Sequence, residues 1–133
     1  MIIVDTNIIA YLVIAGAQTA FAERVFVYDP DWAAPLLWRS EMRNLLSLYL
    51  RREEMNVTDA KRVMERAELT VAGNEYSVDS GRVLELAGAS GCTAYDCEFV
   101  ALAESLGVPL VTSDKKLLAT FRDIAVPLSA FSE

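Results

Sequence analysis

Histidine is absent from the 133 residues of this chain, and its absence excludes more chemistry than any other feature of the composition. There is no Ser-His-Asp triad, no Cys-His pair, no histidine acting as general acid or base, and no imidazole metal site. Any chemistry must therefore use carboxylates, hydroxyls, lysines, thiols or a bound hard cation.

Cysteine and long apolar runs are also scarce. Cys92 and Cys97 are the only cysteines, and no partner residues lie at the spacing of a zinc site. We expect two free thiols in a cytosolic protein. The longest apolar stretch, 8–17, is shorter than the roughly 20 residues that cross a bilayer, and no basic segment precedes it. The sequence therefore predicts a cytoplasmic protein with no membrane span and no signal peptide.

Basic residues are fewer than acidic ones. Twelve basic residues stand against nineteen acidic ones, which gives a formal net charge of −7. This balance argues against a nucleic-acid partner, because phosphate binding normally favours a basic surface. The objection weakens if several acids bind divalent cations, since phosphate is then attracted through the metal.

The pattern of the chain indicates one domain over residues 1–133, with no repeat or linker dividing it. Short apolar runs alternate with helical patterns, which predicts an α/β fold: a three-layer α/β/α sandwich with a mainly parallel sheet of four or five short strands. The expected strands are 1–4, 32–34, 69–71, 108–112 and 124–128. The expected helices are 7–14, 19–28, 36–52, one capped by Thr58 and ending near 68, 78–89, 94–106 and 115–121.

Acidic residues follow two of the expected strands. Asp5 ends the first strand, and Asp114 follows the strand that ends at 111–113. In a parallel sheet, functional groups gather at the carboxyl ends of the strands, so both are candidate site residues. The alternative is that each aspartate only caps the helix that it precedes.

Glu41 lies on the expected helix 36–52, in one apolar stripe with Leu37, Leu45 and Leu48. An unpartnered buried carboxylate is very unfavourable, so its place in this stripe suggests a functional role. Two alternatives remain open. One is an ion pair with Arg24 or Arg82, and the other is a stripe rotated toward solvent.

Asp96 opens the helix 94–106 on the face shared by the apolar residues Phe99 and Val100, which also suggests a site residue. The alternative is a capping box with Thr93 as the N-cap. Glu98 points elsewhere on this helix and is expected to be solvated.

Four short motifs follow one another along the chain: Asp5-Thr6-Asn7, Glu41 with Asn44, Tyr95-Asp96, and Thr112-Ser113-Asp114. Their order and spacing resemble those of PIN-domain ribonucleases, and within that group the VapC-type toxins of bacterial and archaeal toxin–antitoxin pairs. The resemblance spans nearly the whole chain. Two features depart from it: Cys97 follows Asp96 where a small alanine is more usual, and the net charge is unusually negative.

The resemblance implies a metal-dependent endoribonuclease that hydrolyses RNA and leaves a 5′-phosphate and a 3′-hydroxyl. It also implies a cognate antitoxin and a homodimer, with apolar helices such as 36–52 available for contact. All-oxygen ligation favours Mg²⁺ or Mn²⁺. The expected catalytic and metal-binding residues are Asp5, Glu41, Asp96 and Asp114, with Asp5 and Asp96 as the principal ligands.

Further residues are expected to support this set. Asn44 and Thr112 are candidates for holding the carboxylates in place. Arg39 and Arg43 flank Glu41 on the helix and are candidates for substrate binding, although a solvated helix face is the alternative.

Two alternative functions remain open: a PIN-like binding module without turnover, and another magnesium-dependent phosphohydrolase. The presence of all four acids favours the enzyme over the module. A haloacid-dehalogenase-type phosphatase needs Asp-x-Asp after the first strand, whereas this chain has Asp5-Thr6-Asn7.

Overall fold

The computed structural model describes residues 1–131 and contains a five-stranded sheet in which every pairing is parallel. The strand order is β3-β2-β1-β4-β5. In register, Ile3 of β1 pairs with Ala33 of β2 on one side and with Leu110 of β4 on the other. The strands are β1 (Ile2–Val4), β2 (Trp32–Pro35), β3 (Glu75–Tyr76), β4 (Leu110–Val111) and β5 (Ala125–Val126).

Helices cover both faces of this sheet. Successive strand residues point to opposite faces, and every residue of β1 and β2 is buried. The predicted α/β/α sandwich is therefore confirmed. The helices are α1 (Thr6–Val13), α2 (Thr19–Tyr28), α3 (Trp38–Arg51), α4 (Val57–Thr70), α5 (Ser80–Ser90), α6 (Ala94–Leu106) and α7 (Lys115–Thr120), and a 3-10 helix follows at Leu128–Phe131.

Helix α6 supplies much of the core. It packs on β1 and β2 and buries six of its residues, Cys97 and 99–103. Cys92, just before the helix, is also buried, and both thiols are free, as predicted. Within residues 1–131, no helix has both the length and the apolar character needed to cross a membrane.

The strand predicted at 69–71 is wrong. Helix α4 continues to Thr70, and Val71 is buried on the same side as Val63 and Ala67, so the apolar residues there follow helical spacing. The third strand comes later, at β3, after a turn in which Gly73 has a φ of 78° that favours glycine.

The predicted cap of this helix is also wrong. The side chain of Asn56 accepts a 2.8 Å hydrogen bond from the backbone N–H of Asp59, so Asn56 is the N-cap and Thr58 lies within the first turn. Both residue types cap helices well, and the chain uses the earlier one.

The order of the strands creates a crevice at the centre of the sheet. From β1 the chain adds β2 and β3 on one side, then returns to add β4 and β5 on the other. The connections after β1 and β4 therefore lead in opposite directions. Ligands of open parallel sheets bind at such a switch point, beyond the carboxyl ends of the strands.

Candidate functional site

One pocket at this switch point is lined by all four predicted acids and has a volume of about 260 Å³. Asp5 enters from the end of β1 and Asp114 from the loop after β4, whereas Glu41 and Asp96 come from the first turns of α3 and α6. The complete lining is Asp5, Thr6, Asn7, Glu41, Asn44, Leu45, Leu48, Asp96, Phe99 and Asp114.

Asp5 has two roles in the structure. One carboxylate oxygen, Oδ1, accepts a 3.2 Å hydrogen bond from the backbone N–H of Ile8, so Asp5 does cap α1. The other oxygen, Oδ2, accepts a hydrogen bond from the hydroxyl of Thr112. Burial raises the pKa of Asp5 to about 6, and the negative charges of Asp114 and Glu41 act in the same direction.

Thr112 connects the two strand-end acids. Its side chain is fully buried, and its hydroxyl oxygen accepts a 3.0 Å hydrogen bond from the backbone N–H of Asp114 while donating to Asp5. Asp114 caps α7 through a 2.9 Å hydrogen bond from the backbone N–H of Leu117. The capping alternative thus holds for both aspartates, and in each case the capping residue also lines the pocket.

Glu41 is half-buried and receives a 2.7 Å hydrogen bond at Oε1 from the hydroxyl of Thr6. Burial raises its pKa despite that bond, and the charges of Asp96 and Glu98 raise it further. The ion-pair alternative does not occur. Arg82 pairs with Glu104, and the Arg24 guanidinium lies 5.0 Å from the centre of the Phe21 ring.

The second alternative for Glu41, that its apolar stripe is rotated toward solvent, is partly correct. The fully buried face of α3 carries Trp38, Met42 and Leu46. The stripe that contains Glu41 is rotated away from the core, and its leucines Leu45 and Leu48 are half-buried in the pocket wall.

Asp96 is half-buried at the start of α6. Its backbone N–H donates a 3.1 Å hydrogen bond to the hydroxyl of Thr93, which is the N-cap of the helix. Burial raises the pKa of Asp96, the charge of Asp114 adds to this effect, and Thr93 and Lys116 oppose it. Burial is thus the main cause of the raised pKa values of Asp5, Glu41 and Asp96.

Arg39, a candidate for substrate binding, does not line this pocket. Its guanidinium is ion-paired with Glu68 and Glu75, with a 2.8 Å bond from Nη2 to Oε2 of Glu75. The indole N–H of Trp38 donates to the same Glu75 carboxylate, 2.7 Å away. Arg43, one turn further on α3, is exposed, has no ion pair within residues 1–131, and does not line the pocket.

Two neighbours of the site have surroundings or contacts that the sequence does not predict. The sequence assigns no role to Thr6, although its place directly after a strand-end acid puts its hydroxyl at the same sheet edge. The prediction that Glu98 is solvated is wrong: Glu98 is partly buried, which raises its pKa, and its charge acts on Glu41.

A family model for the PIN domain matches residues 2–125. The chain belongs to the PIN domain family. The resemblance predicted from the four motifs is confirmed by a relative, Ribonuclease VapC3 of Pyrobaculum aerophilum. It is 30% identical to this PIN domain over 131 residues, which cover 95% of this chain and 98% of the relative.

Solved structures share the fold of this PIN domain. PAE2754 from Pyrobaculum aerophilum superposes with a TM-score of 0.77 at 23% identity, covering 97% of this chain and 84% of the other. A toxin–antitoxin complex from Klebsiella pneumoniae gives a TM-score of 0.71 at 18% identity, covering 96% and 98%. At these identities the likeness concerns the fold.

The pocket of this PIN domain suits a hard cation that keeps much of its water. Within residues 1–131, no three acidic or thiol side chains form a ready-made cluster that encloses an ion. Magnesium commonly binds through one or two carboxylates and several waters, so a wider arrangement fits it. The oxygen-only donors, and the raised pKa values that a cation would relieve, both favour Mg²⁺ or Mn²⁺.

Proposed function

We propose that this PIN domain is a metal-dependent endoribonuclease and the toxin of a type II toxin–antitoxin pair. The observation that carries the proposal is the meeting of four carboxylates in one pocket at the switch point of the sheet. A relative at 30% identity that bears the name ribonuclease supports it.

Asp5 and Asp96 would be the principal residues that hold Mg²⁺ or Mn²⁺, with Glu41 and Asp114 completing the site directly or through water. When bound, the ion would lower the pKa of water at the scissile phosphate and offset the negative charge that develops there. Thr112 would keep Asp5 and Asp114 at a fixed separation, and Asn44, which lines the same pocket, would hold a carboxylate or water by its amide.

Glu41 would orient the attacking water. Its Oε1 is engaged by Thr6, whereas no protein donor within residues 1–131 bonds to Oε2, which can accept a hydrogen bond from water. That water would lose a proton as it forms the new bond to phosphorus, while the bond to the 3′ oxygen breaks. The products are a 5′-phosphate and, once the leaving oxygen gains a proton, a 3′-hydroxyl.

The test is RNA cleavage by purified Asp5→Asn and Asp96→Asn variants in Mg²⁺. We expect each to cut single-stranded RNA at least about 100-fold more slowly, a loss typical of removing one positioned catalytic group. Asp123→Asn is the matched control, since it removes the same charge from an exposed carboxylate outside the pocket. Cleavage at the parental rate in both pocket variants would refute the assignment, and a parent that cuts no RNA would favour a binding module.

The proposed partners are a cognate antitoxin and a second copy of this chain. A neighbour in fold is a toxin–antitoxin complex, and the free thiols fit the proposed cytoplasmic location.

The apolar face of α3 packs in the core of its own chain, so the proposed dimer surface is better sought at Leu36 and Leu84. These side chains are 53% and 68% exposed and line one shallow groove. Sedimentation of a monomer at micromolar concentration would refute the dimer.

A further inference from the structure

A second cavity adjoins the acidic pocket and differs from it in charge. It has a volume of about 250 Å³ and shares two lining residues, Asn7 and Leu45, with the pocket of the four carboxylates. No charged side chain from residues 1–131 lines it. We call it the tyrosine cavity, because Tyr11 of α1 and Tyr49 of α3 contribute its two aromatic side chains.

Tyr11 links the tyrosine cavity to the acidic pocket. Its phenol oxygen lies 3.2 Å from the hydroxyl oxygen of Ser113, at hydrogen-bonding distance. Ser113 stands between Thr112 and Asp114 at the end of β4. A group held in the tyrosine cavity therefore lies next to the carboxylates.

Two side-chain amides in the lining are free to bind a ligand. Asn7 and Gln18 both line the tyrosine cavity, and neither amide has a hydrogen-bond partner in the described part of the chain. Gln18 immediately precedes α2 but makes no side-chain capping bond to it. An amide offers a donor and an acceptor side by side, which matches the edge of a nucleobase.

The loop that forms one wall is held in place by Thr19. The hydroxyl of Thr19 accepts a 2.9 Å hydrogen bond from the backbone N–H of Gly16 and donates a 2.7 Å bond to the carbonyl of Tyr11. The wall is thus formed before any ligand arrives, which reduces the entropy lost on binding.

We propose that the tyrosine cavity binds one unpaired nucleobase of the RNA next to the cleaved phosphate and thereby sets the base preference of cleavage. This inference rests on the proposed function. Single-stranded RNA is recognised by stacking its bases on aromatic side chains and by hydrogen bonds to their edges. A phosphate would require cations, which the lining lacks. A neutral aromatic ring matches both the size and the chemistry of the site.

The test compares cut sites in a randomised single-stranded RNA pool for the parent, Tyr49→Ala, Tyr49→Phe and Gln18→Ala. We expect the parent to prefer one base at a fixed position beside the cut. Tyr49→Ala flattens that preference and lowers kcat/KM on the preferred sequence about 5- to 150-fold, the effect of losing one stacked base. Tyr49→Phe retains the ring and the preference, whereas Gln18→Ala relaxes the preference with the ring still in place.

A chemically matched substrate sharpens the comparison. The parent should cut an oligonucleotide that is abasic at the preferred position as slowly as Tyr49→Ala cuts the intact oligonucleotide. Tyr49→Ala should cut the abasic and the intact oligonucleotides at the same rate, because both changes remove the same contact. Tyr28→Ala is the control, since Tyr28 is 74% exposed and lines a different groove. Melting temperatures establish that each variant is folded. If Tyr49→Ala is not, the exposed Gln18→Ala carries the test.

The failures are distinguishable. A parent that cuts RNA with no base preference, or a Tyr49→Ala variant with the parental cut pattern, overturns the role of the cavity and leaves the ribonuclease standing. A Tyr49→Ala variant that keeps its cut pattern but no longer binds its antitoxin assigns the cavity to the protein partner instead. A parent that cuts no RNA overturns the proposed function and this inference together.

Discussion

The hydroxyl of Thr6 donates a 2.7 Å hydrogen bond to Oε1 of Glu41, 35 positions further along the chain. Thr6 is the first residue of α1, and Glu41 lies in the first turn of α3. The bond therefore joins two helices that begin after neighbouring strands. It holds the Glu41 carboxylate in the pocket and opposes the rise in pKa that burial causes.

Thr6→Val should slow RNA cleavage and also lower the free energy of unfolding, since the half-buried Glu41 carboxylate loses its donor. Valine keeps the shape of the buried side chain but cannot donate to Glu41. A hydrogen bond to a charged group contributes about 1.5–3 kcal/mol, so kcat should fall roughly 10- to 150-fold if that stabilisation is lost mainly from the transition state. Steady-state kinetics measure this change. Thr6→Ser, which keeps the hydroxyl, should restore most of the rate, and a parental kcat in Thr6→Val would contradict the role.

The metal-free protein should lose stability as the pH rises from 5 to 8. Burial raises the pKa of Asp5 from its ordinary 3.8 to about 6, so the folded protein binds this proton more tightly than the unfolded chain does. The resulting stabilisation is complete below pH 3.8 and is lost as the pH rises through 6. Linkage gives a decrease of about 1 kcal/mol in the free energy of unfolding between pH 5 and pH 8.

Urea denaturation in EDTA at several pH values measures this slope. Glu41 and Asp96, whose pKa values are also raised, add to it. Carboxylates with lowered pKa values, such as Glu75, lose their stabilisation only at more acidic pH. Asp5→Asn should show a smaller slope than the parent, and equal slopes would contradict the assignment.

The carboxyl edge of the sheet was readable from the sequence because it depends on local pattern. A short apolar run followed by an acid marks Asp5 and Asp114, and parallel topology brings the ends of β1 and β4 together whatever the details of packing. Glu41 is predictable for a similar reason. A carboxylate at helical spacing among leucines is unusual, and this holds whichever way the helix is rotated about its axis.

What the sequence could not provide were pairings and rotations set by tertiary contacts. The sequence places Arg39 beside Glu41 on one helix but does not reveal its partners, Glu68 and Glu75, which lie 29 and 36 positions away. Likewise, the rotation that turns Leu45 toward the pocket and Met42 into the core depends on how α3 meets its neighbours. The strand expected at 69–71 failed because three apolar and β-branched residues fit the end of a helix equally well.

Arg39→Ala and Arg43→Ala should affect different properties. Loss of Arg39 leaves Glu68 and Glu75 without their cation, and we expect the free energy of unfolding to fall by about 1 kcal/mol, since the pairs are partly exposed. KM for RNA should not change. Arg43 is exposed, so Arg43→Ala should leave stability unchanged and raise KM if it binds phosphate. Urea denaturation and steady-state kinetics on both variants distinguish the structural role of Arg39 from substrate binding by Arg43. A raised KM in Arg39→Ala alone would reverse these two roles.

Magnesium or manganese should raise the melting temperature and be required for cleavage. At pH 7.5 the ionised carboxylates of the pocket repel one another, and a bound cation relieves that repulsion. A ligand at 100 times its Kd contributes about 2.7 kcal/mol to the free energy of unfolding, and each kcal/mol shifts Tm by roughly 2–8 °C in domains of this size range.

Thermal melts with Mg²⁺, compared with KCl at equal ionic strength, separate specific binding from screening. The shift should persist in Asp123→Asn and disappear in Asp96→Asn, while EDTA should stop cleavage reversibly. An equal shift in Asp96→Asn, or cleavage that continues in EDTA, would contradict a metal site at these carboxylates.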